Sequence, residues 1–284
     1  MMEQGRKATT VGVGRILSTA EAGTLPKVRI FVEPDKLDHD RAILAGSAYH
    51  HIKNVLRMSP GDTLVIFDGA GREVLAALEV FQAETAVARV LAPTAASTES
   101  SLDLTLAPSL AKGKKIDLVV EKAVELGVNR ICVTTSRRSV AQVSPTLSLD
   151  RVERWRRVAI AAAEQSGRTM MPVIERIRPI EELAATKSAD TLGLIFTRDA
   201  QPDPPATLRQ RYPDTRKVIC VIGPEGGFTE DEVEFCRQRG FIDVGLGPRT
   251  LRAETAAIVA AAVCQHLWGD LGRQPPSEVS RFTL

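Results

Sequence analysis

Short uncharged runs rich in β-branched residues alternate along this chain with longer stretches in which apolar residues recur every three or four positions. Between Lys27 and Pro93 the apolar runs are all short: Val28 to Val32, Asp62 to Phe67, Val74 to Val80 and Thr85 to Leu91. Turn signals at Ser59-Pro60-Gly61-Asp62 and Asp68-Gly69-Ala70-Gly71 separate them, which predicts a small β-barrel. One helical stretch interrupts it, Ser47 to Leu56, with Ala48, Ile52 and Val55 or Leu56 on one face and His50, Lys53 and Arg57 on others. From Leu102 the text changes. A strand at Leu102 to Ala107 precedes a helix at Lys114 to Leu126 whose inner face is Ile116, Val119, Val120, Ala123 and Val124, and Arg130 to Thr134 is the next strand. Asp150 is positioned to cap a helix that turns Val152, Trp155, Val158, Ala159 and Ala162 inward, and Leu192 to Phe196 is another buried strand. Strand and helix in alternation predict an α/β domain on a mostly parallel sheet. The small polar stretch Ala92 to Ser101 marks the boundary, giving domains at 27–95 and 102–270, a linker at 96–101, a disordered extension at 1–26 and a tail at 271–284.

The segment Lys217 to Ala262 holds two copies of one plan, an apolar run, a Gly-Pro turn and a charged stretch that opens a helix. Val218 to Ile222 has the continuous apolar character of a strand covered on both faces. It stops at Gly223-Pro224. Thr229 stands three residues before Glu232, a capping box, with Phe228 and Val233 at the staple positions, and Gly240 ends the helix. The second copy runs from Phe241 to Leu246, turns at Gly247-Pro248, and passes Arg249, Arg252, Glu254 and Thr255 before the apolar helix Ala256 to Trp268. Ligands of open α/β sheets sit outside the carboxyl ends of strands, so both polar clusters and the strand end at Thr197 are expected at one cleft.

Composition narrows the class. With 284 residues, 44% hydrophobic and 25% charged, the chain is of ordinary globular make-up, and a net charge of +2 is too small to announce nucleic-acid binding. Local clustering is another matter. Arg137, Arg138, Arg151, Arg154, Arg156, Arg157 and Arg168 crowd one region, and the guanidinium fork matches phosphate oxygens. Cys132, Cys220, Cys236 and Cys264 lack metal-ligand spacing and are expected to be reduced and buried, and no metal is expected. No apolar run is long enough to span a bilayer, and the first residues lack a secretory pattern, so a cytoplasmic protein is expected. A phosphate-loop nucleotide hydrolase is disfavoured because the glycine turn lacks the following Lys and Ser or Thr.

IGPEGGFTEDE at Ile222 to Glu232 and LGPRTLRAETA at Leu246 to Ala256 resemble the RsmE-type methyltransferases of the SPOUT class. KAVELG at Lys122 to Gly127, ERW at Glu153 to Trp155, AAEQSGR at Ala162 to Arg168, HHIKNVLR at His50 to Arg57 and FDGAG at Phe67 to Gly71 are similar to the family in the same order. Arg137-Arg138-Ser139 departs from it, standing where many members have Glu-Arg-Ser. The resemblance implies a SPOUT-type sheet with a carboxy-terminal trefoil knot and an amino-terminal PUA-like barrel. It implies S-adenosyl-L-methionine as cofactor, 16S ribosomal RNA or the 30S subunit as partner, methylation at N3 of a uridine, and a homodimer with its active sites at the subunit interface. Carried over by position, the cofactor would be held by Ile195, Phe196, Thr197, Gly223, Pro224, Glu225, Gly226, Gly227, Leu246, Gly247, Pro248, Leu251 and Thr255. RNA contacts are expected from Arg29, Lys53, Arg57, Arg137, Arg138, Arg154, Arg157 and Arg168. For the chemistry, Arg252 or Arg249 would stabilise charge on the base, and Glu254 or Glu225 would accept the N3 proton. A non-catalytic RNA-binding or assembly protein on the same scaffold is the alternative.

Overall fold

A computed structural model of the chain describes residues 26–94, 98–111, 113–139, 145–197 and 205–272. The expected extension, apart from Pro26, and the tail beyond Gly272 lie outside the described residues.

In the amino-terminal part the strands are β1 (Arg29–Phe31), β2 (Arg41–Ala45), β3 (Thr63–Phe67), β4 (Glu73–Phe81) and β5 (Thr85–Pro93). They form one sheet in the order β1-β3-β4-β5-β2, with β1 parallel to β3 and the other pairs antiparallel. Register shifts between Leu75 and Ala76 and between Leu78 and Val80 curl it, as bulges do. The expected barrel is thus a curled sheet with β1 and β2 at its edges. Ile30, Leu44, Ile52, Leu64 and Ile66 fill its inside. The unforeseen strand is β2, where alternation in RAILA buries only Ala42 and Leu44. The helix predicted over Ser47 to Leu56 is an α-helical turn α1 (Gly46–His50) that runs into a π-helical turn at His51–Val55. The wider turn, with Leu56 N–H bonded to His51 O at 2.9 Å, rotates the phase, so Ile52 is buried while Val55 and Leu56 point to solvent.

The carboxy-terminal part holds β6 (Asp103–Pro108), β7 (Arg130–Ile131), β8 (Thr134–Thr135), β9 (Val173–Ile174), β10 (Arg178–Pro179), β11 (Leu192–Phe196), β12 (Lys217–Ile222) and β13 (Phe241–Val244). Its helices are α2 (Lys115–Glu125), α3 (Pro145–Ser166), α4 (Ile180–Ala185), α5 (Pro205–Arg211), α6 (Glu230–Gln238) and α7 (Ala253–Leu267). The main sheet runs β13-β11-β12-β6-β7-β9, every pair parallel. Alternate residues explain the uninterrupted apolar text of its central strands. Leu194, Phe196, Cys220 and Ile222 enter the large core with α2, α3 and α7, whereas Ile195 and Val221 enter a second core on the other face with Leu183, Cys236 and Phe241. The predicted inner face of α2 is buried without exception. Three expectations need correction: Asp150 lies exposed inside α3, which begins at Pro145; the strand over Arg130 to Thr134 is split into β7 and β8, β8 pairing with β10; and α7 starts at Ala253. No helix among the described residues is long and apolar enough to cross a membrane.

The two parts are fastened to each other. Arg29 of β1 is 6% exposed: it pairs with Glu73 and donates to Ala163 O at 2.8 Å and Arg168 O at 3.3 Å in the other part. Glu164 of α3 accepts the Phe31 N–H at 3.0 Å. Within the expected linker, Thr98, Glu99 and Ser100 are docked. Glu99 takes Arg168 Nη2 at 2.8 Å and the Thr169 and Met170 N–H groups, and Ser100 donates to Gln265 at 2.7 Å.

Candidate active site at the carboxyl ends of the strands

Register places the site. Phe196 lies opposite both Ile222 and Val244, and Ile222 lies opposite Pro108, so β13, β11, β12 and β6 end along one edge of the sheet. Thr197 N–H reaches Val244 O at 3.3 Å and Ser109 N–H reaches Ile222 O at 2.8 Å, carrying the alignment one residue further. The segments that leave there include Gly223 to Thr229, Gly245 to Arg252 and Ser109 to Ala111, so both expected polar clusters and the strand end at Thr197 share one edge, the residues just after Thr197 lying outside the described ones. Ile195 and Phe196 are 0% and 8% exposed, with side chains committed to the two cores, so what this strand offers a ligand is Thr197 and backbone.

The glycine loop is held from two sides. On one, the capping box forms as read: Glu232 accepts Thr229 N–H at 2.8 Å and Thr229 Oγ1 accepts Glu232 N–H at 3.3 Å. The other oxygen of Glu232 accepts Arg137 N–H at 2.7 Å, and this carboxylate is 1% exposed. Arg137 pairs with Asp231 at 2.7 Å and Arg138 donates to Gly226 O at 3.1 Å. The residue that departs from the family pattern, Arg137, therefore contacts the first turn of α6, and it is Arg138, which keeps the pattern, that touches the glycine loop. Gly227 and Gly247 have φ of +70° and +98°, and a Cβ on either would meet nothing within 4 Å. Both need glycine for the backbone, and both border open space.

On the other side stands a residue absent from the sequence reading. Lys115, first residue of α2, donates to Glu225 Oε1 at 2.6 Å and lies 3.8 Å from Glu254 Oε2. Its pKa is raised, chiefly by the hydrogen bond to Glu225, with Glu254 adding and Arg252 opposing. A signal was available: Lys115 follows β6 as Glu254 follows β13, at the opening of a helix on the same edge. Arg252 occupies the N-cap position of α7 without capping it through its side chain, and Arg249, Arg252 and Thr255 are exposed. Among the described residues, Thr197 Oγ1 and Glu254 Oε2 are buried with no hydrogen-bond partner, and so are Ser109 Oγ and Thr134 Oγ1. Such groups cost free energy unless a ligand satisfies them. The Thr197 and Ser109 hydroxyls with open glycine backbone fit a polar ligand carrying hydroxyl groups.

Burial corrects part of the expected RNA surface. Arg29 and Arg168 are 6% and 3% exposed and fully engaged with Glu73, Glu99 and backbone carbonyls, so neither is available to a phosphate. Arg154 is paired with Asp117, and Arg156 with Glu33. Arg157, Lys53 and Arg57 are exposed, Lys53 lying 4.8 Å over the Tyr49 ring and Arg57 at φ +52° after the π turn. A cavity of about 370 Å³ opens at the opposite edge of the sheet, lined by Asp103, Arg130, Arg178 and Lys217, but its cations are paired with Glu175 and Asp190.

Residues 98–265 match the family model of an RNA methyltransferase domain and residues 44–91 that of an RNA methyltransferase PUA domain, so fold and site define a two-domain RNA methyltransferase. The chain is 28% identical over 245 residues to the ribosomal RNA small subunit methyltransferase E of Bacillus subtilis, covering 84% of this chain and 96% of that protein. To the same-named protein of Buchnera aphidicola subsp. Schizaphis graminum it is 31% identical over 228 residues, covering 80% and 91%. The crystal structure of a ribosomal RNA small subunit methyltransferase E from Neisseria gonorrhoeae bound to S-adenosyl methionine matches with TM-score 0.78 and 33% identity, covering 86% of this chain and 98% of that one. This chain belongs to the ribosomal RNA small subunit methyltransferase E family.

Proposed function

We infer that this protein transfers a methyl group from S-adenosylmethionine to N3 of one uridine in 16S ribosomal RNA. The observation that carries the reading is the meeting, at one edge of the parallel sheet, of Thr197, the glycine loop and the Gly245 to Arg252 segment beside two unpartnered buried polar groups. Bound there, S-adenosylmethionine supplies an electrophilic methyl group on a sulfonium. The Thr197 hydroxyl and backbone N–H groups of Gly226, Gly227 and Gly247 would hold its polar parts, and Leu246, Pro248 and Leu251 would line its adenine. Glu225 and Thr255 would border the same space.

The protein's own contribution is geometry and charge. Holding the base in a near-attack position is worth up to roughly 7–11 kcal/mol of barrier. Removing the N3 proton leaves negative charge on the ring, and Arg252, exposed at the N-cap of α7, would stabilise it, with Arg249 on the same segment. Lys53 and Arg57 of the PUA domain, with Arg138 and Arg157, form the surface we assign to RNA phosphates. In this reading the stretch from β11 to α7 is threaded as a trefoil knot, two copies pair so that each site lies at their interface, and the protein acts in the cytoplasm on the 30S subunit. Mass mapping of small-subunit RNA tests it: 3-methyluridine should vanish from one position in cells lacking the gene and return on complementation, and its persistence in the deletion strain would overturn the assignment.

A further inference from the structure

Glu225 and Glu254 both stand at the reacting edge, and Lys115 is shared between them unequally. Its ammonium donates a hydrogen bond to Glu225 Oε1 at 2.6 Å, whereas Glu254 Oε2 is 3.8 Å away, inside ion-pair range but outside hydrogen-bond range. The Glu225 side chain is 41% exposed and that of Glu254 12% exposed. Of the two carboxylates, only Glu254 has a buried oxygen without a hydrogen-bond partner. A carboxylate already taking a short charge-assisted hydrogen bond holds a proton poorly, and one shielded from water with a free lone pair accepts it better. The ionisable groups gathered around Lys115 are Glu225 from the glycine loop, Glu254 from α7 and Arg252 from the α7 cap, so the cluster carries two positive and two negative charges.

We propose that Glu254 accepts the N3 proton through Oε2, and that Lys115 is a positioning residue that commits Glu225 to fastening the glycine loop onto α2 and sets its own positive charge 3.8 Å from the Glu254 carboxylate. The proposal rests on the uridine-N3 reading above. The N3–H bond breaks, the proton passes to Oε2, and the electron pair stays on N3, where it becomes the pair that bonds the incoming methyl carbon. Negative charge leaves Glu254 for the base and is cancelled by the positive charge that arrives with the methyl group. Arg252 covers the ring charge between those two events.

The test is the pH dependence of kcat for wild type, Glu254→Gln, Glu225→Gln, Lys115→Met and Lys115→Arg on 30S subunits that lack the modification, with calorimetric binding of S-adenosylmethionine as a second readout. Glu254→Gln should lose at least about a hundredfold at neutral pH and regain rate about tenfold per pH unit toward alkaline pH, as the uridine ionises without help. Its cofactor affinity should stay within about threefold of wild type. Glu225→Gln should keep the wild-type slope whatever its rate. Lys115→Met should move the acid limb to higher pH, and Lys115→Arg should restore it. A Glu254→Gln profile parallel to wild type, a hydroxide-dependent profile in Glu225→Gln, or an acid limb unmoved in Lys115→Met overturns the proposal alone. Wild-type protein that forms no 3-methyluridine overturns the underlying reading, and the proposal with it.

Discussion

Arg252 shows how a residue can be singled out before its role is visible. Its sequence neighbours made it a candidate for charge stabilisation, and the structure puts it at the N-cap position of α7 with no side-chain bond to the helix, so its guanidinium is not consumed by capping. Arg252→Ala should lower kcat by on the order of 10²–10³ with little change in cofactor affinity, the size expected for removing one aimed donor, as read by single-turnover methylation beside calorimetry. The thiols make the opposite case. Cys132 and Cys236 are free and buried, as expected, and burial pushes them up to about 11 and about 12, although Arg178 donates to the Cys132 sulfur at 3.1 Å and pulls the other way. A thiol whose folded pKa lies above its unfolded value contributes stability that is intact below the unfolded value and lost as pH rises through the folded one. Unfolding free energy should therefore fall from about pH 8.5 upward, by up to roughly 1.4 kcal/mol per pH unit for each thiol, and the melting temperature with it. Cys132→Ala with Cys236→Ala should flatten that slope, as measured by melting curves across the alkaline range.

Among the elements, α6 is the most completely written in the sequence, because Thr229 and Glu232 specify its start through atoms three residues apart. What they could not disclose is the third partner, the Arg137 N–H, which arrives from 95 residues away. Glu232→Ala should cost about 1–3 kcal/mol in urea unfolding, more than an exposed cap, since it leaves buried donors unpaired. It should also loosen Arg138 from Gly226 and raise the Kd for cofactor. The π turn after α1 was illegible for a local reason: a single extra residue per turn leaves the same apolar count and only rotates it. The pieces β9, β10 and α4 were missed because two-residue strands and a helix of six residues give periodicity nothing to repeat.

Across the whole molecule, Arg29 is the residue whose role changed most. A sequence reader sees a cation at the start of a strand in an RNA-binding domain. The fold buries it against Glu73, the Phe67 ring and carbonyls of α3, making it the tie between the PUA domain and the catalytic domain. Arg29→Met should destabilise by about 3–5 kcal/mol by stranding a buried carboxylate, and Glu73→Leu added to it should recover most of that loss, a double-mutant cycle readable by chemical denaturation. The docked connector at Thr98 to Ser100 supports the same tie, so the small domain is held in one orientation toward the reaction edge rather than tethered.

The sequence by itself determined the central strands of the parallel sheet, where α2 and α6 begin and which face α2 buries, and that three polar strand ends would share an edge, since these follow from period, capping and the direction of parallel strands. Tertiary structure alone decided which charges are spent internally and which remain for substrate. Glu99 with Arg168, Arg29 with Glu73, and Lys115 with Glu225 join residues 44 to 110 positions apart, and no local pattern encodes a partner at that distance.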